Sequence, residues 1–541
     1  MIKGFAKFVN VNGKTVSYHA WGTTGPVILA LHGSPQSARA VAHVCEALAE
    51  KGFIVIAPDT PGNGLSDPLP NSEKTTIVDY ASALHSFVAA LGIKSHGIYG
   101  FHTGAAIACT YAALYPSKTN SIFFDGLPNW SADERESLIG YLASFEPVWD
   151  GSHMTWLWAR MEEQTVFFPW HRASSHYRMD YNVSPAQGCH ANVMDLLKSK
   201  NNYIQPYTEA LKFNPGNWFG LLKSPYICAA SFEDVLTEHL SRPGLDHVTP
   251  YIYQTREEMY ETASRLFDEN KTDNVTLKAQ ADLPCGFVEF DKGQVYWQGN
   301  PWQKSDSPTL VFLHGSGDSS NIYNRLSKAM KLYTNTLSFD LPGHGYSNDC
   351  SSLSGHTISS LAKSYHAACA ALGVSNYVVV GERLGGLIAN EMLKQKYCQQ
   401  AMCIDIQQKL SEQDWQDLAS FDCELAPQWD GSHLVRAWRI ARWETLFTPW
   451  FKRDRAHARE IIGAQLEPND IQKRAETLLM AKDEWLTALT LESETEISDI
   501  NSPHVRQYST SSQCDAASPE IRKISSSKDD WFITLYEQFA L

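Results

Sequence analysis

The chain has 541 residues, more than the roughly 50–250 residues that one domain usually occupies, so we expect about two to four domains. A hydrophobic fraction of 43% and an aromatic fraction of 11% exclude a disordered chain, which would be poorer in aromatic residues and richer in charge. The 45 basic and 60 acidic residues give a net charge of −15 without a basic cluster, so a nucleic-acid-binding surface is not expected.

Other features of the sequence bear on compartment and cofactors. Residues 1–7 contain no apolar run with a cleavage site, and the longest apolar stretches, such as 26–31 and 309–313, have the length of strands. We therefore expect neither a signal peptide nor a membrane-spanning helix. The 11 cysteines are scattered without a CxxC pair, which favours reduced thiols in a cytoplasmic protein. Since no HExxH motif occurs either, we expect no metal and no other cofactor.

In chain order, apolar runs of strand length alternate with longer amphipathic runs, and the same series occurs twice. This alternation predicts parallel sheets that are covered by helices on both faces. We expect a first lobe at residues 1–270 and a second at 284–541, joined by a polar connector. The predicted elements are 27–31, 41–51, 53–57, 77–91, 96–100, 103–115, 248–253 and 256–267 in the first lobe, and 309–313, 335–339, 358–372, 377–381 and 384–394 in the second.

Five short segments occur twice, in one order and about 280 residues apart. This nearly constant spacing predicts an internal duplication. The repeated segments are 4–8 with 286–290, 31–34 with 313–316, 59–66 with 340–347, 149–153 with 429–433, and 169–170 with 449–450.

Several of these segments resemble the α/β-hydrolase fold. The His-Gly pair at 32–33 resembles the segment that supplies an oxyanion-hole amide in that family, and 59–66 resembles the loop after the next strand. The run G-F-H-T-G at 100–104 resembles the nucleophile elbow, G-x-S-x-G, whose glycines allow a tight turn and close packing of the next helix. The resemblance implies two tandem α/β-hydrolase domains, each a mostly parallel sheet flanked by helices, with helical caps at about 129–222 and 408–490.

Both elbows depart from the family at the nucleophile position. The position holds His102 in the first lobe and Arg383, within G-E-R-L-G, in the second, where the family uses Ser, Cys or Asp. Arginine stays protonated in proteins and cannot attack a substrate. Histidine tolerates the positive φ of an elbow and can act as a base near neutral pH. The first lobe therefore keeps a residue capable of proton transfer.

The acid position of the family is kept only in the first lobe. Asp234 follows the late strand there, whereas Ser512 stands at the matching place in the second lobe, and the family's histidine is missing from both. We therefore expect a dyad in which Asp234 orients the His102 imidazole as a general base, with the second lobe non-catalytic. The resemblance makes the backbone amides of three residues candidate oxyanion-hole donors: Gly33, Ser34 and Thr103.

The cap segment of the first lobe is rich in aromatic residues, and caps of this family roof the active site. We therefore expect a small-molecule substrate that is apolar or aromatic, such as an ester, a lactone or a compound cleaved at a C–C bond. The candidate pocket residues are Trp149, His153 and Trp170. Because W-D-G-S-H occurs in both lobes, a structural role as a helix N-cap is an alternative for this motif.

Two functions stay open at this point. In the first, one lobe is an enzyme and the other takes the place of a second subunit, so that the lobes pack as an internal pseudo-dimer. In the second, the protein is a pseudoenzyme that binds a ligand or a partner, since this fold also hosts binding proteins. An open pocket with His102 and Asp234 within hydrogen-bond reach would favour the enzyme.

Overall fold

A computed structural model shows two α/β units. Unit 1 comprises Met1–Glu146 and Trp156–Ala281, and unit 2 comprises Pro147–Thr155 and Asp282–Leu541. The short segment 147–155 thus belongs to unit 2. The residues described are 4–70, 74–142, 144–179, 182–245, 247–271, 273–277, 283–291, 293–302, 307–347, 350–406, 410–459, 467–495, 505–509, 521–523, 531, 534–535 and 539.

Unit 1 is built on an eight-stranded sheet in the order β1-β2-β5-β4-β6-β7-β8-β9. The β1–β2 and β2–β5 pairs are antiparallel and the remaining pairs are parallel. A separate pair, β3 with β10, is antiparallel. The strands are β1 (Phe5–Val11), β2 (Lys14–Trp21), β3 (Thr24–Gly25), β4 (Val27–Leu31), β5 (Ile54–Pro58), β6 (His96–Phe101), β7 (Thr119–Asp125), β8 (Tyr226–Ser231), β9 (Tyr251–Tyr253) and β10 (Val275–Thr276).

Helices cover both faces of this sheet. All residues of β4 and β5 are buried, as expected for apolar strands that carry helices on each side. Four helices, α4 to α7, lie between β7 and β8 in the chain, where the cap was predicted. The helices are α1 (Ala42–Glu50), α2 (Ile77–Ala90), α3 (Thr103–Leu114), α4 (Ala132–Ile139), α5 (Ser152–Glu163), α6 (Ala186–Ser199), α7 (Ile204–Lys212) and α8 (Arg256–Glu269).

Unit 2 repeats this architecture with the sheet order β11-β12-β14-β13-β15-β16-β17-β18. Only the β11–β12 and β12–β14 pairs are antiparallel. The strands are β11 (Cys285–Glu289), β12 (Gln294–Gly299), β13 (Thr309–Leu313), β14 (Thr336–Phe339), β15 (Tyr377–Glu382), β16 (Ala401–Ile404), β17 (Val505–Ser509) and β18 (Ile521–Lys523). The helices are α9 (Asn324–Met330), α10 (Ile358–Ala371), α11 (Leu384–Lys394), α12 (Glu412–Ala419), α13 (Ser432–Leu446), α14 (Pro468–Ala481) and α15 (Glu484–Glu494).

The predicted fold class, two mostly parallel sheets flanked by helices, is confirmed. The antiparallel hairpin β1–β2 was not predicted, and the predicted strand 248–253 is shorter, since β9 begins at Tyr251. The Val248 N–H donates instead to the Leu245 carbonyl, and Pro250 has no N–H to offer to a neighbouring strand. Among the helices of the described ranges, none combines the length and the apolar character that crossing a membrane requires.

Candidate active site

The turn between β6 and α3 places His102 above the edge of the sheet. His102 has φ 49° and ψ −109°, and α3 begins at the next residue. A Cβ on Gly100 would lie 2.7 Å from the Gly104 carbonyl oxygen, and one on Gly104 would lie 2.2 Å from the Leu31 carbonyl oxygen. The motif therefore needs glycine on both sides of His102 because the helix packs directly on the strands.

The structure brings together the two residues predicted to form the dyad. The His102 Nε2–H donates to Asp234 Oδ2 over 2.8 Å, since a carboxylate oxygen can only accept. Asp234 Oδ1 accepts a second hydrogen bond from the Leu236 N–H at 2.7 Å, which fixes the carboxylate. The His102 ring lies on the Phe101 ring, with centroids 3.9 Å apart. The side chain of His102 is 31% exposed and that of Asp234 is 10% exposed, so solvent reaches the imidazole.

The two partners shift each other's pKa in opposite directions. Burial lowers the pKa of His102, but the charge and the hydrogen bond of Asp234 outweigh that effect, so the pKa lies above its ordinary value of 6.5. Burial raises the pKa of Asp234, but His102 and the Leu236 amide outweigh it, so the pKa lies below its ordinary value of 3.8. Each side chain of the pair therefore stabilises the charged form of the other.

A third glycine leaves room for this pair. Gly126 follows β7 with φ +67°, and a Cβ there would lie 2.5 Å from His102 Cδ2, 2.8 Å from His102 Nε2 and 3.2 Å from Asp234 Oδ2. The neighbouring strand end thus approaches the dyad so closely that a side chain at position 126 would displace it.

The predicted oxyanion-hole residues lie against the elbow. A Cβ on Gly33 would be 3.3 Å from the His102 Cβ, so the segment at Gly33 passes next to the elbow. The Ser34 N–H donates to Thr103 Oγ1 at 3.2 Å and is therefore engaged. Thr103 is the first residue of α3, and the first amides of a helix have no acceptor within it. The Thr103 N–H is therefore not used in the hydrogen bonds of α3 itself.

The three predicted pocket residues, Trp149, His153 and Trp170, do not all lie in the same unit. His153 and Trp149 belong to unit 2, where the His153 Nε2 is 2.7 Å from Gln472 Oε1 and the Arg442 guanidinium lies 5.1 Å from the centre of the Trp149 ring. The Ser152 N–H donates to Asp150 Oδ1 at 2.9 Å, and Ser432 does the same to Asp430 at 3.0 Å. In both places the Asp side chain of the W-D-G-S-H motif thus binds the N–H of the first helical residue, while the N-cap of α13 is Gly431, which makes no side-chain cap hydrogen bond, rather than the Asp or Ser that the structural alternative proposed. Trp170 is buried in unit 1.

Beside the dyad lies a buried carboxyl group that the sequence pattern did not predict. Asp125 ends β7, and its two oxygens accept hydrogen bonds from Tyr99 on β6 and Tyr253 on β9. Burial raises the pKa of Asp125 to about 6, although both hydroxyl donors oppose the rise. The signal that could have revealed it is an acidic residue at the carboxyl end of the strand next to the elbow strand, where sites of parallel sheets are found.

The elbow of unit 2 carries an ion pair instead of a dyad. Arg383 has φ 53°, and its Nε–H donates to Glu492 Oε1 at 3.0 Å. Glu492 Oε2 accepts a hydrogen bond from the Ser316 hydroxyl at 2.7 Å. Burial lowers the pKa of Arg383, but Glu492 and Glu444 outweigh it and hold the guanidinium charged. Ser512, the predicted counterpart of Asp234, lies outside the described residues.

Two histidines near the elbows bind backbone. His32 Nε2 accepts a hydrogen bond from the Thr60 N–H, and His314 Nε2 accepts one from the Leu341 N–H, both at 2.9 Å. Among the described residues, no group of three or more His, Cys, Asp and Glu side chains is arranged to hold a metal ion.

The strand order, the elbow after the central strand and the helices inserted between β7 and β8 define an α/β-hydrolase fold in unit 1, and unit 2 shares the order and the elbow. A family profile described as "alpha/beta hydrolase fold" matches residues 26–151 and 308–429. Both units therefore have the α/β-hydrolase fold, and the family profile matches a region in each of them.

Several known proteins are similar to parts of the chain. A serine hydrolase-like protein of Dictyostelium discoideum is 35% identical over 117 residues, which are 19% of this chain and 33% of that protein. Epoxide hydrolase 3 of Siraitia grosvenorii is 30% identical over 114 residues, 21% of this chain and 36% of that protein. The chain thus matches about a third of the length of these relatives. The crystal structure of epoxide hydrolase A from Mycobacterium thermoresistibile aligns at 17% identity and a TM-score of 0.39, over 51% of this chain and 100% of that one.

Proposed function

We propose that unit 1 is a hydrolase that needs no cofactor, in which His102 acts as a general base held by Asp234, and that unit 2 does not catalyse. The proposed substrate is a small apolar or aromatic ester, lactone or compound cleaved at a C–C bond. The observation that carries the proposal is the 2.8 Å hydrogen bond between His102 Nε2 and Asp234 Oδ2 at a solvent-accessible elbow. An imidazole oriented through one nitrogen has its other nitrogen, Nδ1, available for proton transfer.

For an ester the proposed reaction has two steps. His102 Nδ1 takes a proton from water while the water oxygen bonds to the carbonyl carbon, and the carbonyl π electrons move onto oxygen. The Thr103 N–H faces that negative charge; one such donor typically contributes about 10²–10³ in rate. The tetrahedral intermediate then expels the alkoxide, which takes the proton back from the imidazolium. The products are an acid and an alcohol, and no acyl-enzyme forms.

The experiment that tests the proposal replaces the imidazole without straining the elbow. Asparagine, like histidine, is enriched at positive φ, so His102→Asn should leave the turn intact. We expect kcat/KM on the best substrate of an ester and lactone panel to fall by about 10²–10⁴, the usual contribution of a general base. His176→Asn, at an exposed histidine of unit 1, is the matched control and should keep the wild-type rate. An unchanged rate in His102→Asn would refute the proposal.

A second candidate function is ligand binding without turnover. It is favoured by the hydrogen bond from the Ser34 N–H to Thr103 Oγ1, because that bond occupies one of the predicted oxyanion donors. Under this hypothesis the wild-type protein binds members of the same panel without converting them, and His102→Asn changes affinity only. Product formation by the wild-type protein that depends on His102 separates the two functions.

A further inference from the structure

A buried guanidinium lies in the helical segment between β7 and β8 of unit 1. Arg160, on α5, is only 8% exposed. Its guanidinium carbon lies 3.8 Å from the centre of the Trp170 ring, and its Nη1 donates to Gln164 Oε1 at 2.9 Å. A guanidinium has five N–H donors, so one hydrogen bond satisfies a small part of its capacity.

Arg160 differs from the paired arginines of unit 1 by having no acid. Arg39 pairs with Asp195 and Arg242 pairs with Glu134, each at 2.7 Å, and both arginine side chains are far more exposed. Within the described residues no carboxylate lies within ion-pair distance of Arg160. Burial lowers the pKa of Arg160, and the groups that oppose it are the phenols of Tyr207 and Tyr203 rather than an acid. Leaving a buried charge without a counter-ion is costly in folding free energy.

The fold of this helix does not require a cation at that position. Helix α5 begins at Ser152 and α13 of unit 2 begins at Ser432, both within W-D-G-S-H. Counting from these serines, the residue of unit 2 that corresponds to Arg160 is Ile440, which is 2% exposed. A buried apolar side chain therefore serves the same helix in the unit whose elbow lacks the dyad. An arginine thus occupies this helix position only in the unit whose elbow carries the dyad.

Two sets of contacts connect the aromatic residues near Arg160, which are Trp170, Tyr203 and Tyr207, to the elements around the dyad. Helix α7, which carries Tyr207, packs against α3, the helix that begins at the elbow. The Trp130 ring stacks on Phe168 with centroids 5.8 Å apart, and it also lies 4.4 Å from the ring of His239, which follows Asp234 in the same loop. Phe168 is two residues from Trp170, so this segment is linked through Trp130 to the loop that carries Asp234.

We propose that Arg160 binds a carboxylate group of the substrate, so that unit 1 acts on a small aromatic or apolar molecule bearing a carboxylate. Trp170 covers a face of the guanidinium and leaves its N–H edge for a bidentate acceptor, the geometry that arginine offers to carboxylates. The bound anion neutralises the buried charge. This inference rests on the proposed function, since it names the class of substrate presented to His102.

The test measures binding of phenylacetate, with phenylacetamide as the uncharged control, to the full-length protein by titration calorimetry. We expect the wild-type protein to bind phenylacetate more tightly than the amide, and Arg160→Gln to weaken phenylacetate binding by about 10- to 100-fold while leaving the amide unchanged. Arg160→Lys keeps the charge but loses the planar fork, so it should weaken phenylacetate binding by an intermediate factor. It serves as the second variant if Arg160→Gln melts at a lower temperature.

Three results would overturn the inference: equal affinity of the wild-type protein for the two probes, no phenylacetate binding in the millimolar range, or phenylacetate affinity unchanged in both Arg160 variants. The His102→Asn variant separates this inference from the proposed function. It should bind phenylacetate as tightly as the wild-type protein while losing turnover. Retained turnover in His102→Asn refutes the catalytic proposal alone, whereas unchanged binding in the Arg160 variants refutes the carboxylate site alone.

Discussion

At the elbow, an imidazole takes the place of the side chain that would form a covalent bond with the substrate. The main chain of His102 keeps the φ of 49° that such a turn requires, so the change is confined to the side chain. Because Asp234 receives the Nε2–H directly, the proposed base needs no third residue between itself and the acid. One hydrogen bond thus connects the acid to the elbow side chain, whereas a triad of acid, histidine and nucleophile needs two.

Under the proposed function, the protonation of His102 makes the rate depend on pH in a defined direction. A general base works in its neutral form, so kcat/KM should rise with pH and level off above the pKa of His102, which Asp234 holds above 6.5. Asp234→Asn removes the charge that raises this pKa, so the rising limb should move to lower pH while the plateau falls. A pH–rate profile of both proteins checks this. If the rising limb of kcat/KM lies at the same pH in Asp234→Asn and in the wild-type protein, a group other than His102 controls the rate.

Gly126 offers a test of the space beside the dyad. In Gly126→Ala the new Cβ would lie 2.5 Å from His102 Cδ2, so the imidazole must shift and the hydrogen bond to Asp234 should break. We expect kcat/KM to fall by about 10²-fold or more. Gly92→Ala is the matched control, since Gly92 has a similar φ of +72° with nothing within 4 Å of its Cβ. It should lose only about 1–2 kcal/mol of stability through backbone strain. Equal activity in the two variants would contradict the assignment.

At the scale of elements, the Asp125 carboxyl group connects three strands of the unit 1 sheet. Tyr99 on β6 and Tyr253 on β9 both donate to its carboxyl group, so one buried acid ties the elbow strand to two others. In unit 2 the strand pairing places Val380 at the position of Tyr99 and Ile404 at that of Asp125. The polar contact is therefore specific to unit 1.

This buried acid predicts a pH dependence of stability. Its pKa of about 6 lies above the ordinary 3.8, so between these values the folded protein keeps a proton that the unfolded chain has released. The free energy of unfolding should therefore decline by about 3 kcal/mol as pH rises through this window. Asp125→Asn cannot ionise and should lose that decline. Hydrogen exchange of the β6 and β7 amides, followed across the window, measures it for unit 1 alone. If the free energy of unfolding declines equally with pH in the wild-type protein and in Asp125→Asn, the decline does not come from Asp125.

At the scale of the whole molecule, the sequence predicts what depends on local pattern and chain order. Strand and helix periodicity, the glycines at 100 and 104, and the order of elbow and acid led to the fold and to His102 and Asp234. The sequence does not predict the contacts that tertiary packing creates between distant residues. Glu492 meets Arg383 across 109 positions, and Asp125 meets Tyr253 across 128. The sequence also does not show that residues 147–155 pack with unit 2, because the W-D-G-S-H motif in this segment begins a helix that continues into unit 1.

The two elbows together predict how the whole protein responds to a fluorophosphonate. Such probes bond covalently to an activated serine, and the elbow positions hold His102 and Arg383 instead. The proposed proton transfer by His102 also forms no acyl-enzyme, so product should form without a burst. We expect no stoichiometric labelling at either elbow and no loss of turnover after exposure to the probe.

A serine esterase of the same fold, treated in parallel, is the positive control. Labelling of the chain together with loss of turnover would place a nucleophilic serine elsewhere and remove the catalytic role from His102.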